Sequence, residues 1–230
     1  MSIAAIARTM LLQFAGTLAV GGVLLFWPAG TLTWPQGWVF LALFFGCSQT
    51  LGLWLLRKDP ALLAARTRSP FSAEQAPRDR AISLAILIAF AAWLVLMALD
   101  ARRFAWSHAP IVMQVLGAIL IVMAFWGWRG VLAANSFAAT TIQIQAERDQ
   151  RVISTGPYAV VRHPMYAYTI LLMLGAPLLL GSLWGLTGLL VLLPLLAART
   201  LSEEALLIRD LPGYGDYVRR VRFRLVPGIW

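Results

Sequence analysis

Residues 166–198 form a run of 33 positions without one charged side chain. A hydrocarbon core of ~30 Å takes about 20 helical residues, so the run is too long for one crossing and short for two. The Gly181–Ser182 pair near its middle fits a tight helical hairpin, with Pro177 and Pro194 kinking the two arms. Four more apolar stretches, residues 10–27, 34–56, 81–99 and 110–128, reach spanning length. With 60% hydrophobic and 13% charged residues, the pattern predicts an all-α, polytopic transmembrane helical bundle of about six membrane segments that ends in a C-terminal helical hairpin. Residues 1–128 would supply four transmembrane helices. Residues 129–230 would supply the functional core of the same membrane domain.

An even number of crossings puts both termini on one side, and the charges agree. Segments 1–9, 57–80, 129–165 and 199–230 hold 17 of the 19 basic residues, and only Arg102 and Arg103 fall opposite. Cytoplasmic loops collect Lys and Arg, so both termini are expected in the cytoplasm. Arg8 before an apolar run imitates a signal peptide. The run is too long for one, however, and ends in Trp27–Pro28, so an uncleaved first helix is expected. Trp27, Trp34 and Trp38 would form an outer aromatic belt, with Trp126 and Trp128 at the inner boundary.

The same distribution explains the net charge of +9 without nucleic acid, because no basic stripe lies outside those loops. Cys47 stands alone, and His108 and His163 are far apart, so neither a disulfide framework nor a metal site is expected. Neither GxGxxG nor a P-loop occurs. The outer loop 28–33 is short and uncharged, which leaves the cytoplasmic face for chemistry.

Two stretches there are unusual. In "TGPYAVVRHPMYAY", residues 155–168, Gly156–Pro157 signals a turn. Pro164 pushes His163 out of helical geometry and suits the first position of a helix. Tyr158, Arg162, His163 and Tyr166 would then share a compact loop at the interface, either as a site or as an aromatic and basic anchor. In "ARTLSEEALLIRD", residues 198–210, Arg199 and Glu203 share a helix face four residues apart. That is a site or a solvated ion pair, with Arg before Glu the poorer order for helix stability. The alternating tail 218–225 reads as a polybasic segment lying on anionic lipid.

Together, "GPYAVVRHPMY" and "RTLSEEALL…PGYGDY" resemble the isoprenylcysteine carboxyl methyltransferase family, within a wider group of integral-membrane methyltransferases that includes phospholipid N-methyltransferases. The resemblance runs from Asn135 to the C-terminus. It implies methyl transfer from S-adenosylmethionine, bound in a cytoplasmic-face pocket built from the two motifs and capped by the tail. Gln143, in the polar strand before the turn, matches a cofactor-lining glutamine, and Gln150, Arg151, Val152 and Ile153 match a backbone-contact stretch. Tyr158, His163, Pro164, Met165 and Tyr166 match the loop that wraps the cofactor. Glu203 matches the cofactor-binding acid, and Arg199 the arginine that faces the acceptor; these two are the expected catalytic pair. Tyr168 stands where the family commonly has glycine, and a bulky group there could narrow the lipid-side opening.

The implied partners are membrane lipids and a lipophilic small-molecule or lipidated acceptor. An isoprenylcysteine-like carboxylate comes first, with a phospholipid amine or a small thiol as alternatives. A sterol-type reductase using NADPH is the competing reaction class, and a non-enzymatic scaffold the third reading.

Overall fold

The computed structural model describes residues 2–67 and 76–230, and among these residues there is no β-strand. Eight helices follow in order: α1 Ile3–Ala29, α2 Pro35–Lys58, α3 Pro60–Arg66, α4 Pro77–Ala98, α5 Ile111–Ala134, α6 Pro164–Leu180, α7 Leu189–Asp210 and α8 Tyr214–Arg220. A π-helical stretch, Leu99–Phe104, continues α4, and a 3₁₀ turn, Trp184–Gly188, leads into α7. Five of these segments are long and apolar enough to cross a bilayer. The sixth, α6, is apolar but has only 17 residues, about 25 Å at 1.5 Å per residue. The expected polytopic bundle is therefore present.

The hairpin turns where glycine permits it. Gly181 closes α6 at φ +86°, a left-handed conformation that side chains rarely take. Pro177 and Pro194 lie inside α6 and α7. The turn is clasped by Asp100, fully buried at the end of α4. Its carboxylate accepts from the Ser182 hydroxyl at 2.6 Å, the Ser107 hydroxyl at 2.6 Å and the Ser107 amide at 2.8 Å. A buried charge needs such donors to offset its lost hydration.

The tightest seam joins α5 to α6. A Cβ on Gly117 would meet Gly175 O at 2.6 Å, and one on Gly175 would meet Gly117 O at 2.7 Å, so only glycine allows this backbone approach. Tyr168 uses a third glycine. Its ring lies flat against Gly127 of α5, on ground a Cβ would occupy.

One core runs through the bundle, from Leu25, Phe40 and Phe45 to Met97, Ile121, Leu180 and Leu196. A smaller cluster of Ile6, Met10, Leu55, Leu62, Leu63 and Leu132 gathers the start of α1, the end of α2, α3 and the end of α5 at one end, against Met165. The C-terminal segment reaches the same end, where the Arg162 and His163 amides donate to the Phe223 and Arg224 carbonyls, each at 2.9 Å. Both ends of the described chain thus sit beside the His163 turn.

Three expectations need correction. Trp34 is not in the outer belt; it is 2% exposed and packs edge-on to Phe26, because the chain turns inward before α2. Helix α5 runs to Ala134, past the expected end at 128, so the polar segment after it is shorter. The tail is not a free segment: residues up to Arg220 form α8, and the chain then folds back onto the Arg162–His163 turn.

Candidate active site

At the shared end of the bundle, the stretch 135–163 wraps a cavity of about 370 Å³ between α3, α5, α6, α7 and α8. The polar stretch expected as a strand is irregular, held by side chains rather than by a ladder. The Gln150 Oε1 accepts from the Gln145 amide at 2.7 Å, and Gln145 Nε2 donates to Phe137 O at 2.8 Å. Gln143, Gln150, Arg151, Val152 and Ile153 all line the cavity from this stretch.

His163 is the N-cap residue of α6 at φ −124°, with Pro164 at the first helical position, as the dipeptide requires. Tyr158, His163, Pro164, Met165 and Tyr166 complete the lower wall. Tyr158 is fixed at both ends. Its hydroxyl accepts from Asn135 Nδ2 at 2.9 Å, and its carbonyl accepts from the Tyr217 hydroxyl at 2.7 Å. Burial pushes the Tyr217 phenol up to about 12.

Arg199 and Glu203 both enter from α7, but not as the surface ion pair their spacing allows. Each bonds Tyr166 instead: its hydroxyl donates to Glu203 Oε2 at 2.7 Å and accepts from Arg199 Nε at 3.1 Å. Arg199 also donates from Nη1 to Ser83 Oγ and from Nη2 to Thr140 O, each at 2.7 Å. Helix α4 and the 135–163 stretch therefore both position this guanidinium.

The neighbouring acid has a different task. Glu204, 3% exposed, accepts from Arg162 Nε and Arg224 Nε, each at 2.5 Å. Arg162 Nη1 then donates to the Val221 and Arg222 carbonyls at 2.7 and 2.8 Å. This buried network pins the tail over the cavity and leaves Glu204 no free oxygen for acid–base work.

Three residues that line the cavity each carry a buried side-chain atom without a hydrogen-bond partner: Thr141 Oγ1, His163 Nε2 and Tyr214 OH. Buried polar atoms are normally paired, so three unpaired ones around one cavity single out this end of the bundle as the candidate site. Burial lowers the His163 imidazole below its ordinary value, and it stands as a neutral donor or acceptor.

A second cavity, about 410 Å³, opens between α4, α6 and α7. It is lined by Ile86, Leu87, Phe90, Leu172, Met173 and Leu192, among others. Tyr166, Thr169 and Arg199 border both cavities. Tyr168 borders neither, so its bulk does not narrow the groove.

Every residue expected at the site lines the polar cavity. Arg66, Thr141, Tyr214 and Tyr217 line it as well and were not anticipated. The second tyrosine motif, "PGYGDY", already held two of these. Arg66 carried no signal, being one basic residue in a basic loop.

The chain is thus a helical bundle of membrane-spanning length with a cavity at one end that shares Tyr166, Thr169 and Arg199 with an apolar groove. Residues 112–211 match the family model described as phospholipid methyltransferase, from the same membrane-methyltransferase group as the isoprenylcysteine carboxyl methyltransferases. The match supports an integral-membrane methyltransferase and covers α5 to the end of α7, with the hairpin, the first motif and the RTLSEEALL part of the second, but not PGYGDY. No curated protein matches the chain.

Proposed function

We propose that the protein transfers a methyl group from S-adenosylmethionine to a lipophilic acceptor at the cytoplasmic face, with an isoprenylcysteine-like carboxylate as the acceptor. The observation that carries this reading is the shared border of the two cavities. One is polar with unpaired donors and acceptors, the other apolar, and Tyr166, Thr169 and Arg199 are common to both. A charged nucleoside donor enters the first from water, and a hydrocarbon-bearing acceptor enters the second from the bilayer. The 17 basic residues in the segments assigned to one side support a cytoplasmic location for the polar cavity.

The polar cavity fits the donor chemically. Thr141 Oγ1, His163 Nε2 and Tyr214 OH offer neutral polar contacts to a nucleoside, and Glu203 offers a carboxylate to an ammonium. When bound, the donor supplies an electrophilic methyl; the acceptor oxygen bonds to it as the C–S bond breaks, and the electron pair goes to sulfur as a neutral thioether. A carboxylate acceptor is already ionised, so positioning outweighs acid–base help. Among the described residues, Arg199 is the charged group that lines the groove, and no acid lines it. Two of its five N–H groups remain after its three bonds, enough to hold a carboxylate.

The family match favours a second reading, methylation of a phospholipid amine. The two leave different products. Purified protein in vesicles is given deuterated-methyl donor with either a prenylated-cysteine carboxylate or phosphatidylethanolamine, and the lipids are read by mass spectrometry. Base-labile label, an ester, supports the first reading; base-stable label on the amine supports the second. No label on either acceptor overturns both.

A further inference from the structure

Four arginines line the polar cavity, and they differ in how far their N–H groups are engaged. Arg162 is paired with Glu204 and two tail carbonyls. Arg199 is divided among Tyr166, Ser83 and Thr140. Arg151 is exposed. The fourth is Arg66, at the end of α3. Its Nη1 donates to Ala138 O at 2.7 Å and meets Met165 Sδ at 3.6 Å. Among the described residues, Nε and Nη2 have no partner and no carboxylate pairs with the group.

A guanidinium brought into a cavity with its fork open is matched to an oxyanion, and arginine offers the planar geometry that carboxylates accept. Its location narrows the choice. The Arg66 carbonyl accepts from the Thr140 hydroxyl at 3.4 Å, and the Thr140 carbonyl accepts from Arg199, so Arg66 lies near the shared border. Arg66 meets Met165 Sδ, and the next residue, Tyr166, donates its hydroxyl to Glu203. The cavity therefore sets an acid and a partly open guanidinium against neighbouring residues, Tyr166 and Met165, at the start of α6. That is the complement of an α-amino acid zwitterion: ammonium toward Glu203, carboxylate toward the arginine. Arg66 does not border the apolar groove, which separates it from an acceptor's head.

We propose that Arg66 holds the carboxylate of the methyl donor's amino-acid end. The assignment rests on the donor reading above and adds a residue from outside the span 112–211 that matches the methyltransferase family. It makes α3 part of the binding site, although the N-terminal half otherwise reads as membrane anchor.

The test compares two ligands by titration calorimetry on full-length protein in detergent: S-adenosylhomocysteine, and 5′-methylthioadenosine, which lacks the amino-acid end. Wild-type protein is expected to bind the first more tightly. Arg66→Gln, which keeps an N–H for Ala138 O, is expected to weaken S-adenosylhomocysteine at least tenfold and 5′-methylthioadenosine less than twofold, with Arg66→Lys between. Equal losses for both ligands would assign Arg66 to support of the fold and overturn the proposal. Unchanged affinity for both, with a raised KM for the acceptor, would move the carboxylate to the acceptor and also overturn it. Wild-type protein that binds neither nucleoside would remove the donor reading itself.

Discussion

The Tyr166 hydroxyl donates to Glu203 and accepts from Arg199, so one phenol at the first turn of α6 joins the two charged groups of α7. A hydroxyl can do both at once from a single oxygen, and tyrosine carries one farther from the backbone than serine or threonine. The hairpin thereby carries its chemistry at the open end, opposite the Asp100 clasp.

Glu203→Ala removes the acid that faces the cavity and leaves the Glu204 network intact. Donor affinity should fall at least tenfold while the thermal transition moves little. Calorimetric titration with S-adenosylhomocysteine measures the first, and an unchanged affinity would remove Glu203 from the site.

Arg199→Lys replaces a fork with three separate partners by a point charge. Turnover should fall tenfold or more with donor affinity held within a few-fold, because the donor side keeps Glu203 and Tyr166. Steady-state kinetics resolve the two. Wild-type turnover in this variant would leave Arg199 with a packing role alone.

Glu204→Ala leaves Arg162 buried and unpaired, a loss of about 3–5 kcal/mol for a broken internal ion pair. The melting temperature should drop, and proteolysis should cut the released tail. Arg224, more exposed than Arg162, should cost less when replaced.

His163 is buried neutral, so its folded pKa lies below the unfolded value of about 6.5. Burial dominates. Glu203 and Glu204 pull the value up, while Arg162 and Arg224 push it down. Between the folded value and 6.5 the unfolded chain binds more protons, so stability is full above 6.5 and falls as pH drops below it. Melting curves from pH 7.5 to 5.5 should show a shallower acid loss in His163→Gln than in wild type; parallel losses would mean that His163 does not titrate on unfolding.

Gly117→Ala forces a methyl into the Gly175 carbonyl at 2.6 Å and the Leu179 amide. Two helices must part, and the variant should lose stability and donor binding together, whereas Gly16→Ala, with open space around it, should lose neither.

The membrane plan was legible because each crossing announces itself by length and apolarity, and the hairpin by its glycine. The His163 turn was legible because proline constrains its neighbour. Glu204 was not: its partners lie 42 residues earlier and 20 later, and adjacent Glu-Glu reads the same whichever acid turns inward. Helix phase divided them, with Glu203 toward the cavity and Glu204 toward the tail. Trp34 was misplaced because aromatic character signals an interface or a core equally well. Arg66 needed three dimensions, since nothing in residues 60–66 distinguishes a loop cation from one folded into a cavity.

The border of Tyr166, Thr169 and Arg199 also bears on what happens after transfer. Spent nucleoside and methylated lipid would depart through different openings, one into water and one sideways into the leaflet. Neither has to wait for the other, so slow escape of a greasy product would not trap the nucleotide half. Inhibitors built to plug the groove should then compete with acceptor and not with donor.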